Sequence, residues 1–189
     1  MEIKTAAALR TSLTRQLLEF SGQRGSHVGL LNLNPLIREV CRTIQHRLPG
    51  NVQLHIELDP SLEAVRADAA QFRQVLLKLV ANAMEAMPEG GHLAIHSSNI
   101  EIDDARASQL TGIAPGHYVL LAVADTGRRM TEEVRAHLSE PFFTTKNARA
   151  GMGLADVYGV VQQHNGHIVV DSGPDMGTMF QIYLPMVQH

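Results

Sequence analysis

At 189 residues the chain has the size of one ordinary domain with a short appendage, and its 44% hydrophobic content argues against disorder. A net charge of −3 with histidine neutral removes any global electrostatic reason to bind nucleic acid or an anionic membrane surface. The lone cysteine, Cys41, excludes an internal disulfide and fits a reducing cytoplasm; the longest apolar stretch, 118–124, is too short to span a bilayer, and no signal peptide opens the chain.

Leu9, Leu13, Leu17 and Phe20 recur at helical spacing, which predicts a helix over 5–21. One such stripe cannot be buried by a lone helix, so this segment needs a partner inside or outside the chain. The run 21–26, rich in Ser and Gly, breaks it and reads as a linker. From Gly29 onward the pattern becomes mixed. Asn34-Pro35 reads as a cap followed by proline at the first helical position, and Ile37, Val40, Cys41 and Ile44 mark that helix's buried face. Val52, Leu54, Ile56 and Leu58 alternate with polar residues as in a half-buried strand. Asp68 reads as the N-cap of the strongest helix, whose period runs through Phe72, Val75, Leu76, Leu79, Val80, Ala83 and Met87. Strands follow at 93–97 and 118–124, the second apolar on both faces and therefore central. A short helix is expected near 132–138, then a loop through Arg149, another helix marked by Leu154, Val157, Tyr158 and Val161, and closing strands at 168–171 and 179–184. The whole reads as an α+β fold, a two-layer sandwich of a mixed, largely antiparallel sheet with helices on one face.

Four local features carry chemistry. Lys78, Asn82 and Glu85 fall at i, i+4 and i+7, so they share one polar stripe of the long helix. A short amide there can hold a cation or its water shell without adding charge. Asp125-Thr126-Gly127 ends the central strand, where a carboxylate can accept from a base amino group and a glycine lets a ring approach the backbone. Pro141 to Lys146 places two aromatics before a polar, cationic tip, as in a loop packed at its root and moving beyond it. Gly151-Met152-Gly153 sits at a helix start, where free N–H groups and the helix dipole favour an anion. Singly, each also has a bland reading as a turn, a solvated helix residue or core.

In this order the four resemble the catalytic and ATP-binding domain of sensor histidine kinases, within the wider family that includes the gyrase B subunit, heat-shock chaperone ATPases and MutL proteins. Residues 74–87 resemble the family's N box, 125–130 its G1 box, 140–146 its F box and 151–154 the end of its G2 box; the likeness covers roughly 28–186. It implies a Bergerat fold, ATP as nucleotide and Mg²⁺ held by Asn82. It also implies adenine binding at Asp125 with Gly127 beside the ring, and a lid over 143–151. The remaining nucleotide contacts it implies are Glu85, Met130, Phe143, Thr144, Thr145, Lys146, Gly151, Met152, Gly153, Leu154 and Thr178. The helix over 5–21 resembles the second helix of the family's dimerisation and phosphoacceptor region, so residues 1–25 are expected to be its remnant plus linker and 26–189 the catalytic domain. The implied partners are that dimerisation domain, a response regulator or receiver domain, and a second copy through 5–21. No nucleic acid and no direct membrane contact are expected, and the location is the cytoplasm, as the cytosolic part of a larger sensor.

The sequence departs from the pattern in places. Lys78, a catalytic position, stands where sensor kinases carry a first asparagine and where ATP-hydrolysing relatives carry the glutamate that activates water. A charged lysine cannot be that base, which disfavours a hydrolytic clamp. Arg129 and Arg149 replace glycines of the G1 and G2 boxes, and Ser139 an aromatic before the F box. None of the ten histidines lies in the N-terminal helix or precedes an acidic residue, as a phosphoacceptor would. The leading expectation is therefore an ATP-dependent protein-histidine kinase domain acting on a dimerisation helix outside this fragment. The alternative is a degenerate, catalytically impaired module that signals by docking or by binding another nucleotide.

Overall fold

The computed structural model describes residues 27–110, 112–128, 153–173 and 177–187. The segments 1–26 and 129–152 lie outside these residues, and with them the expected helices at 5–21 and 132–138, the linker and the lid.

Helix α1, Leu33–Gln45, starts at an N-cap Asn32 whose side-chain oxygen accepts from Asn34 N–H at 2.9 Å. The cap thus lies two residues before the expected Asn34. Asn34 is only 5% exposed, and its amide is committed elsewhere. It donates to the Asp59 carbonyl at 2.7 Å and accepts from Ser97 Oγ at 2.7 Å. Pro35 falls in the first turn, where its missing N–H would have had no helical partner. Helix α2, Ala69–Ala86, is capped as expected by Asp68, whose carboxylate accepts from Ala70 N–H at 2.8 Å and Gln71 N–H at 3.1 Å.

The main sheet contains β2 (Val52–Leu58), β4 (Gly91–Ile102), β5 (Gly116–Asp125), β6 (His167–Gly173) and β7 (Gly177–Pro185), in the spatial order β2-β4-β5-β7-β6. The β2–β4 pair is parallel and the others antiparallel. The apolar run of residues 118–124 therefore occupies the middle strand, as its two-sided hydrophobicity required. A short antiparallel pair, β1 (Gly29–Leu31) with β3 (Val65–Ala67), had no period long enough to read in the sequence.

Period two divides this sheet into two faces. Leu93, Ile95, Val119, Leu121, Val123, Phe180, Ile182 and Leu184 are buried on one face. They share a core with Phe72, Val75, Leu76, Leu79 and Val80 of α2 and with Val157 and Val161 of α4, Gly153–Gln163. The three longer helices thus pack on the expected face. A smaller cluster of Ile102, Ile113, Tyr118, Leu120 and Tyr183 lies on the other, against Ala107 of the short α3, Asp104–Gln109.

Cys41 belongs to the core, and burial pushes its thiol up to about 11. At neutral pH it is a shielded, neutral thiol, so a disulfide-exchange reagent should modify it only in denaturant. Rapid stoichiometric modification of the native protein would contradict this.

Candidate functional site

The polar stripe of α2 survives folding: Lys78 and Asn82 are half-buried and Glu85 is exposed, beside the buried apolar face. The carbonyl of Ala86 ends the helix and would lack a helical partner. It accepts from Arg128 N–H at 2.9 Å, which pins the segment after β5 to the end of α2. A Cβ at Gly127 would sit 2.5 Å from that same carbonyl oxygen, so the close approach of this segment to α2 itself requires glycine.

Asp125 closes β5, in register with Leu93 on β4 and Thr178 on β7. It is 4% exposed. Its carboxylate accepts from Gly127 N–H at 2.8 Å and from the backbone of Thr178. Burial raises its pKa, and these hydrogen bonds lower it; burial wins, and the net shift is upward. Thr126 is held between strands: its N–H donates to the His92 carbonyl at 3.1 Å, and its hydroxyl accepts from His92 N–H at 2.9 Å. Gly177 has φ +68°, and a Cβ there would lie 1.8 Å from the Asp125 carbonyl oxygen. Thr178 is buried beside it, and its hydroxyl lies 3.3 Å from that of Ser172.

The start of α4 completes the described part of the site. Gly153 opens the helix, Leu154 packs against the core, and Asp156 is the acidic residue of the first turn. Lys78 Nζ reaches across to Asp156 Oδ2 at 2.6 Å. The two helices are tied again at the other end through His164. Its Nδ1 faces the Val160 carbonyl at 2.7 Å and must donate, which leaves Nε2 to accept from Asp68 N–H at 3.1 Å. A buried neutral imidazole thus couples the N-cap of α2 to the end of α4.

Folding accordingly gathers Lys78, Asn82, Glu85, Asp125, Gly127, Gly153, Leu154 and Thr178 onto α2, the β5 end, the β7 start and the α4 start. Met130, Phe143, Thr144, Thr145, Lys146, Gly151 and Met152 lie outside the described residues, as do Arg129 and Arg149. Asp156 and His164 escaped the sequence reading. An acidic first-turn residue was visible, but its partner lies on another helix.

Among the described residues no group of three or more His, Cys, Asp or Glu side chains could hold a metal, and no helix is long and apolar enough to cross a membrane. His92 and His96 lie within β4. His92 is exposed, 3.4 Å from the His55 ring nitrogen.

The sequence profile of the histidine kinase-, DNA gyrase B-, and HSP90-like ATPases matches residues 67–188. The chain is 38% identical over 187 residues to the sensor kinase CckA of Brucella abortus, covering 98% of this chain and 20% of that protein. The chain thus spans about a fifth of that relative's length. Among solved structures, the nucleotide-free catalytic domain of histidine kinase ThkA superposes with a TM-score of 0.68 at 29% identity, covering 85% of this chain and 96% of that one. The same kinase in complex with response regulator protein TrrA gives 0.67 at 27% identity, covering 98% of this chain and 49% of that one.

Proposed function

Because this chain belongs to the histidine kinase-, DNA gyrase B-, and HSP90-like ATPase family, and is an ATP-binding catalytic domain of the sensor-kinase type, we propose that it transfers the γ-phosphate of ATP to a histidine on a dimerisation domain. The observation that carries this reading is the buried Asp125 carboxylate, held at the end of the central strand beside α2 by the Gly127 and Thr178 backbone. In this reading Asp125 accepts from the adenine amino group, Asn82 and Glu85 line the path of the phosphates, and Thr178 steadies the floor. Gly153 and Leu154 open the helix whose positive end faces the phosphates. Met130, residues 143–146, Gly151 and Met152 close over the nucleotide.

Mg²⁺ is the metal this reading implies. A half-buried amide with no carboxylate cluster among the described residues suits an ion held mainly by phosphate oxygens and water, and Asn82 would supply its protein ligand. Bound there, the ion neutralises phosphate charge. Lys78 supports kinase over hydrolase chemistry: its ammonium is paired with Asp156 and cannot take a proton from water. The reading as an impaired module leans on Lys78, Arg129 and Arg149, and no described contact favours it.

Residues 1–25 are proposed as the end of the dimerisation region, joining two copies through 5–21, and 26–189 as the catalytic domain. A response regulator or receiver domain is the onward acceptor, and the setting is the cytoplasm. Calorimetric titration with ADP and a non-hydrolysable ATP analogue, with and without Mg²⁺, tests the binding. Transfer of labelled phosphate to an added dimerisation domain tests the chemistry. Binding strengthened by Mg²⁺ and labelling of a histidine are expected; no adenine-nucleotide binding at all would overturn the proposal.

A further inference from the structure

Lys78 is the site residue that the proposed function leaves without a task. It lies one turn before Asn82 on the same stripe of α2, and its side chain is 17% exposed, against 52% for its partner Asp156. Asp156 sits in the first turn of α4, where the helix dipole already favours an anion. A cationic side chain and a helix N-terminus therefore converge on one carboxylate. Around the pair runs a cleft of about 340 Å³ between α2 and α4, lined also by Gln71, Gln74, Gly159 and Gln163.

The helix acts as a ruler. Ala86 touches Gly127 at the adenine end, and at ~1.5 Å per residue Lys78 lies ~12 Å back along α2. That is comparable to the reach of a nucleoside triphosphate from base to terminal phosphate, with Asn82 half way. A diphosphate is one phosphoryl group shorter.

We propose that Lys78 binds the terminal phosphate of ATP and that Asp156 is its built-in competitor, the ammonium exchanging a carboxylate for a phosphate oxygen when the triphosphate enters. The inference rests on the nucleotide site proposed above. The exchange is one ion pair for another, so no proton need move. Its consequence is selectivity: Asp156 holds down affinity for the triphosphate, and ADP, too short to reach Lys78, is indifferent to the pair. The α4 start is meanwhile held against α2 by the same contact.

The test is titration of the whole chain with ADP and with a non-hydrolysable ATP analogue in the presence of Mg²⁺. Asp156→Asn should raise affinity for the analogue about tenfold and change that for ADP less than about twofold. Lys78→Met should lower affinity for the analogue about tenfold. In the Lys78→Met background the gain from Asp156→Asn should shrink at least about fivefold, because mere removal of a repelling carboxylate does not need Lys78. If Asp156→Asn does not fold, as judged by its melting curve, Asp156→Ser takes its place. Equal changes for ADP and analogue, weaker binding in Asp156→Asn, or an undiminished gain in the double variant would each overturn the exchange while leaving the nucleotide site intact. A parent protein that binds neither ligand overturns the site and the exchange together.

Discussion

Asp125→Asn should weaken adenine-nucleotide binding by at least about 100-fold, while the variant without nucleotide melts no lower than the parent. The carboxylate already accepts from Gly127 N–H and the Thr178 backbone, and as an anion it retains capacity for an adenine amino group. An asparagine oxygen can keep the Gly127 bond, but its NH₂ then confronts the adenine NH₂, donor against donor. A lost charge-assisted bond plus an unpaired donor amounts to about 3–4 kcal/mol.

Stability moves the other way. Burial raises the Asp125 pKa, so its favourable contribution to folding is full below the unfolded-state value and is lost as pH rises through the folded one. At neutral pH the buried carboxylate is a net cost to the unliganded fold, which the neutral amide removes. Nucleotide affinity in the parent should correspondingly fall as pH drops through that raised pKa, since the protonated carboxyl surrenders its charge. Calorimetry across the acidic range and melting curves of both proteins read these opposite signs. Binding within tenfold of the parent would remove Asp125 from the adenine site.

Gly177→Ala is expected to cost more stability than any other substitution considered. Its φ of +68° disfavours an alanine by about 1 kcal/mol. The added Cβ would stand 1.8 Å from the Asp125 carbonyl oxygen and 2.8 Å from Thr126 Cα, both backbone atoms that cannot swing aside. Relief requires β5 and β7 to separate at the point where Asp125 meets Thr178. A loss of at least about 3 kcal/mol follows, or about 10 °C in melting temperature for a chain of this size. Gly159→Ala supplies the contrast. It lies inside α4 with nothing within 4 Å of the added carbon, and should gain about 0.5–1 kcal/mol from helix propensity. Denaturant unfolding of the two variants should give opposite signs; a Gly177→Ala protein as stable as its parent would mean that this close approach does not exist in solution.

Much of this protein is determined by residue order alone. The 3.6-residue period from Phe72 to Met87, the cap at Asp68 and the two-sided apolar run before Asp125 each express a local preference that the fold leaves in place. The same order singled out Asn82, Asp125 and Gly153, which the fold carries on α2, at the end of β5 and at the start of α4. Tertiary structure decided the rest. Asn34 carries a good capping side chain but is drawn into the core by Asp59 and Ser97, so Asn32 takes the cap. β1 and β3, three residues each, exist only because they pair with one another. Gly127 is required by Ala86, 41 residues earlier, as well as by anything it might admit beside it. The altered position in the N box gained its meaning only when α4 brought Asp156 to within 2.6 Å of Lys78. Periodicity and capping are short-range and legible in a line of residues; an ion pair or a forbidden Cβ depends on which distant backbone arrives alongside, and only packing decides that.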